Sequence, residues 1–407
     1  MLYFKHDELA TKYHVSLKTV HNWISATKLG KLDLTLYKEG NRYYIANTPQ
    51  NTSIIWRLIE KGRKYRNTRA VKSVEPKSKF YSIYTEAQVY DIVTSLEIHH
   101  EIPRQYNYFQ GGAGYWDEYT DRLVADDTPN IVNSTINLLR ANQGYLDSLF
   151  VQYKQINVID IGVGNAQPVK EFLKHLLEER KLGRYIALDI SPDILEIARR
   201  NIQEWFGDQV RFEGHKLDIT QDRFTDLLIR EHTKEDAKDT LNLVLLLGGT
   251  LSNMRTPDSG FKTIHDSMGI NDLLIHSAKL DTQSTRHYFD FDLQPERKRL
   301  AAIHGLVVDL LNIDPAFYTV ELGYDPHLKQ RFEHIRLKVA LTITFTFKDG
   351  KRTIELEKDD TILTWRYSQQ TAADVMSQFD SADFYPIHTS QTDDHEYILT
   401  VSRVKHG

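Results

Sequence analysis

The chain has 407 residues, 41% hydrophobic and 26% charged, a composition expected of a soluble globular protein with two or three domains. It has no cysteine, which excludes disulfides, thiolate metal sites and cysteine nucleophiles. Residues 1–80 hold 16 Lys and Arg against 6 Asp and Glu, and the remainder 35 against 50, so a basic head on an acidic body predicts two kinds of partner.

Residues 4–29 carry a helix-turn-helix pattern. Residues 6–13 make a short helix and His14-Val15-Ser16 the turn, and Ser16 caps a second helix over 17–24 with apolar residues at helical spacing. A hairpin over 34–45 follows, turning at Glu39-Gly40-Asn41. This head, residues 1–70, resembles the winged helix-turn-helix of MerR and excisionase-type proteins. The resemblance implies that the second helix enters a major groove of double-stranded DNA, with Lys18, Thr19, His21 and Asn22 outward. The basic run 61–69 would then neutralise phosphates. The alternative is a module for protein contacts or dimerisation, which makes a homodimer a candidate assembly. Residues 71–80 are polar and turn-rich, as a linker is.

Strand-like and helix-like stretches alternate after residue 150. Apolar strands are expected at 156–161, 185–190, 210–217, 242–247 and 272–276, with helices over 167–180 and 192–205. Continuous apolar strands between amphipathic helices predict an α/β fold with a parallel sheet covered on both faces. The period then changes: residues 337–347 and 352–356 flank Lys348-Asp349-Gly350-Lys351 as an antiparallel hairpin. A helix over 371–379 and a strand over 397–402 close the pattern.

The most informative segment is Val158-Ile159-Asp160-Ile161-Gly162-Val163-Gly164-Asn165, with Ala187-Leu188-Asp189-Ile190-Ser191 beyond it. It describes a buried strand, a glycine turn opening a helix, and a second strand ending in a carboxylate placed for ribose hydroxyls. The glycine run has no third glycine and no Lys-Ser/Thr pair, so a dinucleotide loop and a P-loop both fit badly. S-adenosyl-L-methionine (SAM), a nucleoside cofactor without phosphate, fits better.

The order of parts resembles a class I, Rossmann-like SAM-dependent methyltransferase. The resemblance implies cofactor-binding roles for Asp160, Gly162, Gly164, Asp189, Asp218, Ile219 and Gly248, with Asp218 receiving the adenine amino group. Leu247-Gly248-Gly249-Thr250-Leu251-Ser252-Asn253 further resembles a signature of the histidine-specific Nα-methyltransferases of ergothioneine biosynthesis. So does the stretch from Tyr108 to Asp117, and the likeness covers roughly 100–403. It implies that Asn253 holds a substrate's amino and carboxylate groups, that Tyr108 stands near its side chain, and that Tyr288 binds its carboxylate. Asn253 as a helix cap, and the two tyrosines as core aromatics, are the alternatives.

The departures concern the substrate. Where the family has Leu-Thr-Glu-x-Ser to grip an imidazole, this chain has Leu363-Thr364-Trp365-Arg366-Tyr367. Trp365 and Tyr367 would stack on a flat or cationic substrate, or simply pack hairpin on sheet. The family's Glu-Tyr-Tyr stretch is missing, and Pro168 replaces its cofactor-loop lysine. Expected domains are the head, the linker, a Rossmann-like core over 81–285, an inserted antiparallel β substrate domain over 286–370, and a C-terminal helix and strands over 371–407. The expected function is methyl transfer to an amine nitrogen of a small amino-acid-like substrate. The alternatives are a SAM-binding transcriptional regulator and a DNA- or protein-targeted methyltransferase. No metal, no membrane partner and a cytoplasmic location are expected, since no metal-ligand spacing or long apolar run occurs.

Overall fold

The computed structural model describes residues 3–13, 15–66 (60–66 as backbone), 71–126, 128–229, 239–282 and 300–405. They divide into two compact units, residues 1–72 and 73–407.

In the first unit, Ser16 accepts the Thr19 N–H at 3.1 Å and starts the helix Leu17–Lys28, which buries Val20, Trp23 and Ile24. Strands β1 (Tyr3–Phe4), β2 (Leu36–Glu39) and β3 (Arg42–Ala46) form an antiparallel sheet in the order β1-β3-β2. The buried Asn51 side chain ties the helix Pro49–Arg66 to this sheet. It accepts from the Thr35 N–H at 2.9 Å and donates to the Thr35 and Ala46 carbonyls, each at 2.8 Å. Lys18, His21 and Asn22 are exposed and Thr19 is half-buried. The side chains of the basic run 61–69 lie outside the described residues.

In the second unit, β4 (Lys72–Val74) precedes the helices Ser78–Ile83 and Glu86–His99. The stretch expected as a linker is therefore strand and helix. Phe80 is fully buried, and Lys77 pairs with Asp309 at 2.8 Å. Two apolar anchors, Val74 and Phe80, are enough to dock a segment whose composition is otherwise polar.

Five strands follow: β5 (Gln155–Ile161), β6 (Leu182–Asp189), β7 (Phe212–Lys216), β8 (Thr240–Leu246) and β9 (Leu273–Lys279). Next come β10 (Tyr318–Asp325), β11 (Gln330–Leu337), β12 (Leu341–Phe347), β13 (Gly350–Leu356) and β14 (Thr361–Ser368). The last two are β15 (Phe384–Gln391) and β16 (Tyr397–Val404). The main sheet runs β15-β16-β9-β8-β5-β6-β7, parallel from β9 to β7 and antiparallel at β15 and β16. Alternate residues feed opposite layers. Val158, Ala187 and Leu243 pack on one face, under the helices Ile131–Ala141 and Pro192–Phe206; Ile159, Ile186 and Val244 pack on the other, with Phe261 and Phe379. This is the expected Rossmann-like α/β sheet. β6 and β8 flank β5, which puts the topological switch at its C-terminal end, the usual ligand crevice.

Strands β10–β14 form a second antiparallel layer, in sheets ordered β10-β11-β14 and β13-β12-β4. The strand expected over 337–347 is divided. Leu337 pairs with Tyr318 in one sheet and Leu341 with Leu356 in the other, so the chain changes sheets between them. The third hydrophobic core joins these strands to the early helices. Phe80, Ile92 and Leu96 meet Val307, Ile335, Phe345 and Ile362 there, although residues 81–109 were expected to pack with the Rossmann-like core.

Candidate active site

A cavity of about 220 Å³ opens at the C-terminal ends of β5, β6 and β8. Tyr108, Gly162, Gly164, Asp189, Asp218, Ile219, Gly248 and Asn253 all border it, although they come from five separate stretches of sequence.

The glycines are there for geometric reasons. Gly162 has φ +66°, and a Cβ on it would lie 2.5 Å from Thr250 Oγ1. Gly248 has φ +78°, likewise left-handed. Backbone rather than side chain therefore forms this wall. Asp189 Oδ1 accepts the Ser191 N–H at 2.9 Å. Burial pushes the Asp189 carboxyl up to about 7, against the lowering effect of the Ser191 and Ile190 N–H groups. Asp218 folds its carboxylate back onto Thr220, accepting its N–H at 2.9 Å and its hydroxyl at 2.7 Å.

Asp160 stands apart from the cavity lining. It is buried beneath the turn and accepts the Tyr185 hydroxyl at 2.8 Å. Burial raises its carboxyl to about 7; the Tyr185 hydrogen bond lowers it and nearby Asp189 raises it.

The segment carrying Tyr108 is tied to the start of the helix Pro192–Phe206. Ser191 Oγ donates to the Tyr108 carbonyl at 2.6 Å, and the Gln110 N–H donates to Asp193 at 2.9 Å. Asn253 is engaged on both ends of its amide: Nδ2 donates to the Gly249 carbonyl at 2.7 Å, and Oδ1 accepts the Trp365 indole N–H at 2.9 Å. The bond from Trp365 depends on an irregularity. Glu333 pairs with Trp365 and His334 with Leu363, leaving Thr364 as an extra residue on β14. The Thr364 hydroxyl donates to the Glu333 carbonyl at 3.0 Å, and Trp365 stacks on His304 with ring centroids 5.4 Å apart. The Tyr367 ring covers Gly249. Trp365 and Tyr367 thus back the Asn253 turn rather than line the cavity, and Tyr288 lies outside the described residues.

Sequence reasoning missed Arg104 in the lining, and it placed Trp116 and Thr250 within motifs without giving either a site role. Thr250 was within reach, because the turn after a fourth strand faces the first glycine turn. Nothing in the pattern around Arg104 marks it. Among the described residues no group of three or more His, Asp or Glu is arranged to hold a metal, and no helix is long and apolar enough to cross a membrane.

The sheet order, the glycine cradle and the carboxylate ending β6 define a class: α/β proteins that hold a nucleoside cofactor at the switch point. The family of histidine-specific, SAM-dependent methyltransferases matches residues 88–404, and the chain belongs to it. It is a SAM-dependent methyltransferase. No curated protein matches the chain. Among solved structures it is similar to an S-adenosylmethionine-dependent methyltransferase from Clostridium acetobutylicum, at 9% identity and TM-score 0.40, covering 72% of this chain and 99% of that one. It is also similar to the 1,6-didemethyltoxoflavin-N1-methyltransferase of Burkholderia thailandensis, at 13% identity and TM-score 0.35, covering 72% and 87%.

The residues present suit SAM. The cradle at Gly162 that a Cβ would fill and the carboxylate of Asp189 match the ribose, and the apolar side chains of Ile190, Leu217 and Ile219 match a flat base.

Proposed function

We propose that the enzyme transfers the methyl group to an amine nitrogen of a small, amino-acid-like acceptor. The observation that carries this is Asn253, at the rim of the cavity beside Gly248 and Gly249, with Tyr108 on the same cavity. An amide has two donor hydrogens and two acceptor lone pairs, so Asn253 keeps one of each for an acceptor after bonding Gly249 and Trp365.

SAM, when bound, supplies an electrophilic methyl on a sulfonium that leaves as a neutral thioether. The chain's task is alignment and exclusion of water. Asp189 accepts from the ribose, Gly162 and Gly248 admit the cofactor against the backbone, and Asn253 orients the acceptor. The antiparallel layer β10–β14 acts as the substrate-side lobe, inserted between β9 and β15. Histidine is disfavoured as the acceptor: Trp365 stands where the family places the imidazole-gripping glutamate, and its N–H is spent on Asn253.

Incubation with SAM and a panel of amino acids and amines, scored by S-adenosylhomocysteine release and product mass, tests this. Turnover of at least one α-amino acid is expected. No turnover by any member despite SAM binding overturns it.

A second function is proposed for the head. It acts as a winged helix-turn-helix on double-stranded DNA, supported by the exposure of Lys18, His21 and Asn22 on one capped helix. Duplex binding that weakens steeply with salt is expected, and salt-independent or absent binding would instead make it a protein-contact module.

A further inference from the structure

Arg104 is only 8% exposed, yet it lines the cofactor cavity. Its Nε donates to the Tyr108 hydroxyl at 2.9 Å and its Nη1 to the Ile303 carbonyl at 3.3 Å; both partners are neutral. Among the described residues no carboxylate oxygen pairs with it, whereas the nearby arginines Arg255 and Arg366 share the buried Glu101. A guanidinium has five N–H donors in a planar fork suited to carboxylates. Two are used here, which leaves three for a ligand. A buried cation facing a cavity without a counter-ion calls for an anion in that cavity.

We propose that Arg104, braced by Tyr108, is the carboxylate-binding subsite of this enzyme. The engagement of Asn253 by Trp365 gives the same result from another direction. After its bonds to Gly249 and Trp365, Asn253 keeps one donor hydrogen and one lone pair for an acceptor but offers a carboxylate no charge. Arg104 supplies the charge that Asn253 lacks, and a charge-assisted, bidentate contact is stronger than one to a neutral amide. Two ligands carry this group into the cavity, the amino-acid end of SAM and the methyl acceptor. The second case rests on the amino-acid-like acceptor proposed above; the first does not.

The test compares the parent enzyme with Arg104→Gln and Arg104→Lys by calorimetry, using S-adenosylhomocysteine and 5′-methylthioadenosine, which lacks the amino-acid end. If the cofactor's carboxylate is bound, Arg104→Gln weakens S-adenosylhomocysteine about 10- to 100-fold and leaves 5′-methylthioadenosine unchanged, with part of the loss restored by lysine. If the acceptor's carboxylate is bound, S-adenosylhomocysteine affinity holds. The KM of an amino-acid acceptor then rises at least about tenfold, while that of its decarboxylated amine does not. Unchanged thermal melting shows that Arg104→Gln is folded. Should that variant fail to fold, Tyr108→Phe, which removes only the brace, is expected to give the same selectivity at smaller amplitude. Unchanged S-adenosylhomocysteine binding together with no carboxylate-dependent acceptor overturns the subsite. A panel without turnover but with the predicted cofactor effect strikes only the acceptor proposal.

Discussion

Asp189 combines two demands that oppose each other. The role of ribose acceptor proposed for it calls for the ionised form, yet burial holds its carboxyl at about 7, well above the usual carboxylate range. A raised carboxyl gives stability to the ligand-free fold that is complete below the unfolded-state value and lost as pH rises through about 7. Cofactor binding has the reverse sign and strengthens as pH rises through that value. Calorimetry is expected to show S-adenosylhomocysteine binding about tenfold weaker at pH 6 than at pH 8, because only the ionised fraction is competent. Flat affinity over that range would contradict the role. Gly162 sets a steric limit beside it. Gly162→Ala places a methyl 2.5 Å from Thr250 Oγ1 at φ +66°, so a stability loss of about 1–3 kcal/mol is expected in thermal melts, with weaker cofactor binding. Trp365→Phe keeps the stack on His304 but deletes the N–H that holds Asn253. Its expected signature is a changed acceptor KM with cofactor affinity preserved.

Among the elements, those with strong local signals were legible in the sequence. Ser16 announced the helix Leu17–Lys28, and the apolar runs announced β5, β6 and β8. The glycines and Asp189 were readable because a backbone requirement or a strand end fixes which residue type can stand there. The failures have a different origin. Nothing local reveals that the chain changes sheets after Leu337, since alternation reports exposure and not the identity of the partner strand. The extra residue at Thr364, which turns Trp365 toward Asn253, is equally invisible. Asn51 was missed because a buried amide is recognisable only from the three groups it bonds. Asn51→Ala orphans the Thr35 N–H and takes one of two bonds from the Thr35 and Ala46 carbonyls, which keep the Ala46 and Thr48 N–H groups. A loss of about 1–3 kcal/mol is expected for the head, read as faster amide hydrogen exchange over its helices and sheet with the body unchanged.

At the scale of the whole molecule, the residues described as lining the cavity all belong to the unit 73–407. A chain shortened to 73–407 is therefore expected to bind S-adenosylhomocysteine within about twofold of the full chain. A larger loss would mean that the head participates in the site.

The core that joins Phe80, Ile92 and Leu96 to Ile335, Phe345 and Ile362 affects how the protein is made. The ion pair of Lys77 with Asp309 spans 232 residues, and the whole Rossmann-like sheet up to β9 lies between the two halves of that core. A ribosome synthesises the first half early and must then wait. The helices Ser78–Ile83 and Glu86–His99 leave the exit tunnel with apolar faces whose partners, from Val307 to Ile362, emerge only after β9. Arg104 and Tyr108 follow directly after those helices, and Arg104 takes its carbonyl partner from Ile303, so this wall is completed only after β9. Nascent chains arrested at the end of β9 should thus fail to retain S-adenosylhomocysteine even with the glycine turn and Asp189 already synthesised. Methyl-donor binding then reports that the strands following β9 have been made.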